Sequence, residues 1–281
     1  MNWLTDNRIP IGPWAKSFVD WLTTHGGWFF DQLSFLLSNG IKAMLYLLQA
    51  PHPLVVVAVL TGIAFWLRRS IAVAALTAIG LLFIVNQGYW KETTETLALV
   101  LAATAVSMLV GVPLGIAAAR RKWVYSIMRP VLDLMQTIPT FVYLIPALIL
   151  FGLGMVPGLI ATVIFAIPAP IRLTRLGIIS TPPSLVEAAE SFGATPMQVL
   201  RKVELPFAMP QIMAGLTQTI MLSLSMVVIA ALVGASGLGV PVVRALNTVN
   251  IAKGFEAGLC IVVLAIILDR VFRSSDAGDS A

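Results

Sequence analysis

The amino-acid sequence predicts an all-α, polytopic membrane protein, and three observations carry that prediction. Hydrophobic residues make up 58% of the 281 and charged residues only 11%, with a mean hydropathy of +0.93. A soluble core of this length has no room for so much apolar surface. The apolar residues fall in runs that approach the roughly 20 residues a bilayer-spanning helix needs. Basic residues collect in short segments between the runs, where they report membrane topology. The net charge of +5 therefore points to lipid, not nucleic acid, as the chain's surroundings.

The N-terminal segment, 1–51, opens on a polar and aromatic stretch without the basic start and compact apolar centre of a cleavable signal peptide. Residues 28–49 place Asp31, Ser34, Ser38, Lys42 and Gln49 along one helical face, with Phe29, Leu33, Leu36, Ile41 and Leu48 among the apolar residues opposite. An interfacial amphipathic helix fits this pattern better than a first span, which is the competing reading. About seven spans follow, near 53–67, 71–88, 95–119, 130–152, 155–171, 208–233 and 255–272. Arg68-Arg69, Arg120-Arg121-Lys122 with Arg129, the basic residues from Arg172 through Lys202, and Arg270 with Arg273 each follow an odd-numbered span. The positive-inside rule then sets the N-terminus outside and the C-terminus inside. Trp66, Trp90 and Trp123 near span ends read as interfacial anchors. Residues 274–281 read as a disordered tail.

Metal and redox chemistry find little purchase. His25 and His52 are isolated, no metal-ligand spacing occurs, and Cys260 is the single cysteine. Transport chemistry is expected where spans are interrupted. The fourth span gathers Gln136, Thr137, Pro139, Phe141, Tyr143 and Pro146 within one helix length. Proline removes a backbone hydrogen bond, and in membranes such breaks persist where protein or water satisfies the freed carbonyl. Asp133 is the lone carboxylate of this span and a candidate charge site. It also lies four residues from Arg129, and the helical ion pair is the favoured reading. In the sixth span Gln218, Ser223 and Met226 join the candidates for the translocation pathway or a subunit interface. Gly234, Gly237 and Gly239 form a flexible external turn, an element of an outer gate.

Between the fifth and sixth spans the chain turns polar. Glu187-Ala188-Ala189-Glu190-Ser191-Phe192-Gly193 is separated by nine residues from Val203-Glu204-Leu205-Pro206. Ser184 with Glu187, and Thr195 with Gln198, read as two capping boxes. Gly193 supplies the stop between them and Pro196 restarts the second helix. The result is a compact helix–turn–helix knob. This pattern resembles the coupling loop of ABC importer permeases, with Val203 where Ile is commoner. The resemblance implies that the knob, 184–206, docks on an ATPase subunit through Glu187, Ala188, Ala189, Gly193, Leu205 and Pro206.

Gln136-Thr137-Ile138-Pro139-Thr140-Phe141-Val142-Tyr143-Leu144 and Leu222-Ser223-Leu224-Ser225-Met226-Val227-Val228-Ile229-Ala230 sharpen the resemblance. They are similar to permeases of choline, glycine betaine and proline betaine importers, most of all to choline-system permeases. The resemblance implies the type I ABC importer fold in a bacterial inner membrane. It divides the chain into the N-terminal segment, two extra spans at 52–91 and a transport core at 92–273. It further implies a second copy of the chain, two ATPase subunits that hold ATP and Mg, and a periplasmic binding protein that selects the solute. This chain contains no G-x-x-x-x-G-K-[ST] loop, so it is expected to be no enzyme and to bind no cofactor itself. A stand-alone ion-coupled carrier or channel is the rival reading; it normally wants intramembrane charges or inverted repeats.

Overall fold

The computed structural model describes residues 10–273, and the expected tail at 274–281 lies outside them. Among the described residues the chain is all helix. It begins with α1 (Ile11–Gln49), α2 (Pro53–Arg68), α3 (Ile71–Asn86) and α4 (Trp90–Arg120). Next come α5 (Lys122–Thr137), α6 (Thr140–Phe151), α7 (Met155–Ala166) and α8 (Pro168–Ile179). The knob contains α9 (Pro183–Ser191), α10 (Pro196–Val199) and a π-helical turn (Leu200–Glu204). The chain closes with α11 (Leu205–Ser225), α12 (Val227–Ala231), α13 (Gly239–Asn247) and α14 (Ile251–Phe272).

Local chemistry sets many of these boundaries. His52 accepts the Leu54 N–H and Pro53 opens α2, while Ser70 caps α3 and Asn250 caps α14. Arg69 adopts a left-handed conformation that ends α2. The Arg68 guanidinium donates to the Arg273 carbonyl, so the basic ends of α2 and α14 meet on one side, as the charge pattern requires.

α4 is the spine. At 1.5 Å per residue its 31 residues reach ~46 Å, enough to cross a bilayer with length to spare. It packs against α8 and α11, and small residues allow the approach. A Cβ on Gly111 would stand 2.8 Å from Pro170 Cγ, and one on Gly115 2.7 Å from the Ile171 carbonyl. Helices surrounded by lipid gain little from hiding leucine, so close backbone packing of this kind holds them together. Leu97, Val100, Ile220, Leu224, Leu264 and Leu268 fill the centre between α4, α11 and α14.

Three expectations need correction. The fourth span is not one helix: α5 and α6 meet at 99°. Pro139 deprives the chain of a donor there, and Ile138 turns extended with ψ 133°. The fifth span does not stop at 171, because α7 and α8 continue it to Ile179. The amphipathic helix starts at Ile11 instead of Trp28 and bends by 105° into α2. By length and composition, three stretches are long and apolar enough to cross a membrane singly (Trp90–Arg120, Met155–Ile179 and Ile251–Phe272) and five if each bent pair counts as one. α2 and α3 have 16 residues each, about 24 Å of helix, short of a hydrocarbon core of roughly 30 Å.

Candidate coupling and translocation site

The knob sits at the Arg120 end of α4. α9 begins at Pro183, after a Pro182 without a side-chain cap, and Ser184 lies inside the helix, so the expected Ser184 capping box does not form. Proline at the first turn needs no amide partner and starts the helix on its own. The second box does form: Thr195 Oγ1 accepts the Gln198 N–H at 3.4 Å and Gln198 Oε1 accepts the Thr195 N–H at 2.7 Å. Between the two helices Gly193 adopts φ +80°, in the left-handed region that glycine enters without penalty.

A contact the sequence reading missed holds the knob to the membrane helices. Arg120 Nη2 donates to the Pro196 carbonyl at 2.8 Å and to Glu204 Oε2 at 3.0 Å. One guanidinium thus joins the end of α4 to both sides of the second knob helix. The sequence signal was there, since Glu204 is a lone carboxylate beside Arg201 and Lys202. A cleft beside this contact is lined by Arg120, Ile179, Pro183, Val186, Glu187 and Glu204, so Glu187 faces the knob's root. Ala188 is exposed and Ala189 half-buried. Leu205 packs with Ile178, Ala208 and Ile212, while Pro206 is exposed. Phe192, at the turn, is 93% exposed, and Leu185 and Met197 on the two knob helices are exposed as well. The knob therefore offers an apolar tip on a rigid base.

The broken span carries the second cluster. Asp133 Oδ1 lies 2.6 Å from Arg172 Nη2, and its other oxygen 4.0 Å from Arg129 Nε. The expected Arg129 pair is thus present but loose, and Arg172 on α8 is the nearer partner. Arg172 Nη1 also donates to Gln136 Oε1 at 2.9 Å, a two-pronged use that suits the planar guanidinium. One turn further along α8, Arg175 stands 3.6 Å over the Tyr125 ring, a cation–π contact. Asp133 and Arg172 remain 54% and 36% exposed in the single chain. Such pairs contribute only about 0–1 kcal/mol, so this one orients α5 on α8 more than it stabilises the fold.

The remaining candidates separate. Thr137, Pro139, Phe141 and Gln218 are exposed, on the open surface of the single chain. Tyr143 is buried, and its hydroxyl donates to the carbonyls of Met135 and Ile138, satisfying the backbone freed at the break. Ser223 and Met226 are 0% and 1% exposed, and Met226 packs with Tyr143, Leu144 and Val233. The turn at 234–239 is tight: Gly154 N–H donates to the Val233 carbonyl, and Leu238 N–H donates to Thr96 Oγ1 at 2.8 Å.

Comparison with known proteins matches this architecture. The family model described as "Binding-protein-dependent transport system inner membrane component" matches residues 111–278, more than half of the chain. The chain is 46% identical over 267 residues to the glycine betaine transport system permease protein OpuAB of Bacillus subtilis, covering 95% of this chain and 94% of that protein. It is 46% identical over 269 residues to the glycine betaine/carnitine transport permease protein GbuB of Listeria monocytogenes, covering 95% of each. It is 44% identical to the glycine betaine/proline betaine transport system permease protein ProW of Escherichia coli, covering 95% of this chain and 75% of that one. Among solved structures, an inward-facing MetNI methionine ABC transporter superposes with a TM-score of 0.60 at 23% identity, covering 66% of this chain and 94% of the other. That likeness shows the shared fold. The bent α5–α6 pair, the knob between α8 and α11 and the matched core together make one conclusion: the chain belongs to the inner membrane components of binding-protein-dependent transport systems and has the type I ABC importer fold.

Proposed function

We propose that this chain is the permease of an ATP-driven importer of quaternary amines, with glycine betaine as the leading solute. The single observation that carries the coupling mechanism is the knob, whose apolar tip at Phe192 rests on a base fixed by Arg120. Two copies of the chain pair across the pathway, and two ATPase subunits, which hold ATP and Mg, each receive one knob. A binding protein delivers solute from outside. Closure of the ATPases displaces the knobs, and because Arg120 ties each knob to the end of α4, the displacement turns the membrane helices as a body. Solute enters from one side and leaves on the other by alternating access. Asp133, Gln136, Thr137, Pro139, Phe141 and Gln218 are the residues proposed to meet it.

Glycine betaine leads over choline because it stands in the names of relatives at 44–46% identity. Choline appears in the name of OpuCD of Bacillus subtilis, 36% identical over 58% of this chain. We further place residues 30–49 of α1 on the outer bilayer surface. Phe30 meets Phe151 edge to face at 5.5 Å, and Gln49 Nε2 donates to Thr94 Oγ1 at 2.8 Å. Both contacts lie at the end of the fold away from the knob.

The test is uptake in proteoliposomes containing the chain, its ATPase and its binding protein. Labelled glycine betaine is expected to accumulate only with ATP, and Gly193→Val is expected to abolish accumulation, whereas Gly193→Asn, which tolerates the left-handed region, retains much of it. Accumulation without ATP overturns the importer reading, and ATP-driven accumulation of choline alone overturns the choice of solute.

A further inference from the structure

The geometry points to a small-zwitterion site in a cavity at the outer end of α4, distinct from the pathway residues on α5, α6 and α11. The inference rests on the proposed import of a betaine-type solute. The cavity, of about 660 Å³, lies between the first turns of α4, the 236–237 turn, α13 and the start of α14. This is ample for a small solute with water, within the usual range of roughly 300–1,000 Å³ for ligand sites.

Its lining carries charges of both signs. α4 brings Glu92 and Glu95, three residues apart and so on one helical face, with Tyr89 beside them and Lys91 at the rim. From two other elements, α13 contributes Arg244 in its last turn and α14 contributes Lys253 in its first. Among the described residues none of these five charged side chains makes an ion pair or a side-chain hydrogen bond with the rest of the chain. Elsewhere the charges between helices are paired: Arg120 with Glu204, Arg172 with Asp133. Here Glu92, Glu95, Arg244 and Lys253 line one cavity and form no ion pair with one another.

A molecule with a positive and a negative end complements both walls at once. A trimethylammonium group donates no hydrogen bond, so it is held by charge and by an aromatic face, which Glu92, Glu95 and Tyr89 supply. A carboxylate takes charge-assisted hydrogen bonds from Arg244 and Lys253. The floor is rigid, because Gly237 packs on Thr96 and Leu238 N–H is held by Thr96 Oγ1. The same arrangement discriminates: choline carries the cation but no carboxylate, and leaves the Arg244–Lys253 wall unused. The cavity thus acts as a receiving site for solute at the outer mouth.

The experiment is equilibrium dialysis of labelled glycine betaine and labelled choline against the intact permease–ATPase complex in lipid nanodiscs, without binding protein. Retention of glycine betaine is expected, weakened about tenfold by Arg244→Gln or by Glu92→Gln with Glu95→Gln, while retention of choline falls only with the glutamate changes. Lys253→Gln, at an exposed position, is a second probe of the cationic wall should Arg244→Gln fail to assemble. Parallel uptake with the binding protein present separates the two ideas. ATP-driven uptake together with no retention, or with retention indifferent to all these changes, overturns the cavity site and leaves the importer standing. Absence of ATP-driven uptake overturns the importer reading itself.

Discussion

Arg120 and Glu204, 84 residues apart in sequence, meet at 3.0 Å, and the same Arg120 nitrogen holds the Pro196 carbonyl at 2.8 Å. Their side chains are 32% and 16% exposed, so the pair is partly shielded from water. This contact links the longest core helix to the knob proposed to meet the ATPase. Arg120→Gln is expected to cost roughly 1 kcal/mol of stability and to leave ATP hydrolysis running with solute uptake reduced several-fold. The ratio of transport to hydrolysis in proteoliposomes checks it. An unchanged ratio removes Arg120 from the coupling path.

Phe192 touches almost nothing in the single chain, being 93% exposed. A residue that contributes no packing to the fold but carries a large aromatic ring fits an interface anchor. Phe192→Ala is expected to leave the thermal midpoint of the isolated permease nearly unchanged and to weaken its association with the ATPase by about 2 kcal/mol. Co-purification and a titrated pull-down of the two subunits give the readout, and equal affinity of variant and parent contradicts the assignment.

Arg172 uses its two terminal nitrogens on different partners, Asp133 Oδ1 and Gln136 Oε1. An ammonium crowds its three donors onto one nitrogen and lacks that planar fork. Arg172→Lys is therefore expected to impair uptake nearly as much as Arg172→Gln. If Lys restores parental uptake, charge alone suffices and the bridge to Gln136 has no part in transport.

A Cβ on Gly237 would stand 2.6 Å from Thr96 Oγ1, and the glycine's φ is +131°. Gly237→Ala must both strain the backbone, on the order of 1–3 kcal/mol, and push aside the hydroxyl that holds the Leu238 N–H. Thr96→Ala removes the obstacle and the acceptor together. The double variant is accordingly expected to be less destabilised than the sum of the single changes. Thermal unfolding of the four purified proteins measures the coupling, and strict additivity contradicts the clash.

How much of this was legible beforehand depended on distance along the chain. Thr195 and Gln198 announced their capping box because the two partners are three residues apart. Gly193 announced its turn because left-handed backbone favours glycine. Ser184 misled, since Pro182 and Pro183 start α9 without a capping side chain. Pro139 signalled a break in the fourth span, but a missing amide donor sets no angle. The 99° bend became visible only with Tyr143 seated against the carbonyls of Met135 and Ile138. Ser223 and Met226 read as pathway residues by their polarity and softness, and the packing of α11 and α12 against α4, α6 and α7 put both inside.

Membrane class and the knob were legible in the sequence alone, because composition and capping at fixed short spacing are local properties. Tertiary structure alone decided which charges meet. Arg120 reaches Glu204, Arg172 reaches Asp133 and Gln136 across separations of 39 and 36 residues, and Glu92 and Glu95 line one cavity with Arg244 and Lys253 without pairing. Nothing in local spacing encodes those distances. They follow from how closely α4, α8 and α11 pack, and that closeness depends on glycines whose missing side chains leave room for a neighbouring backbone.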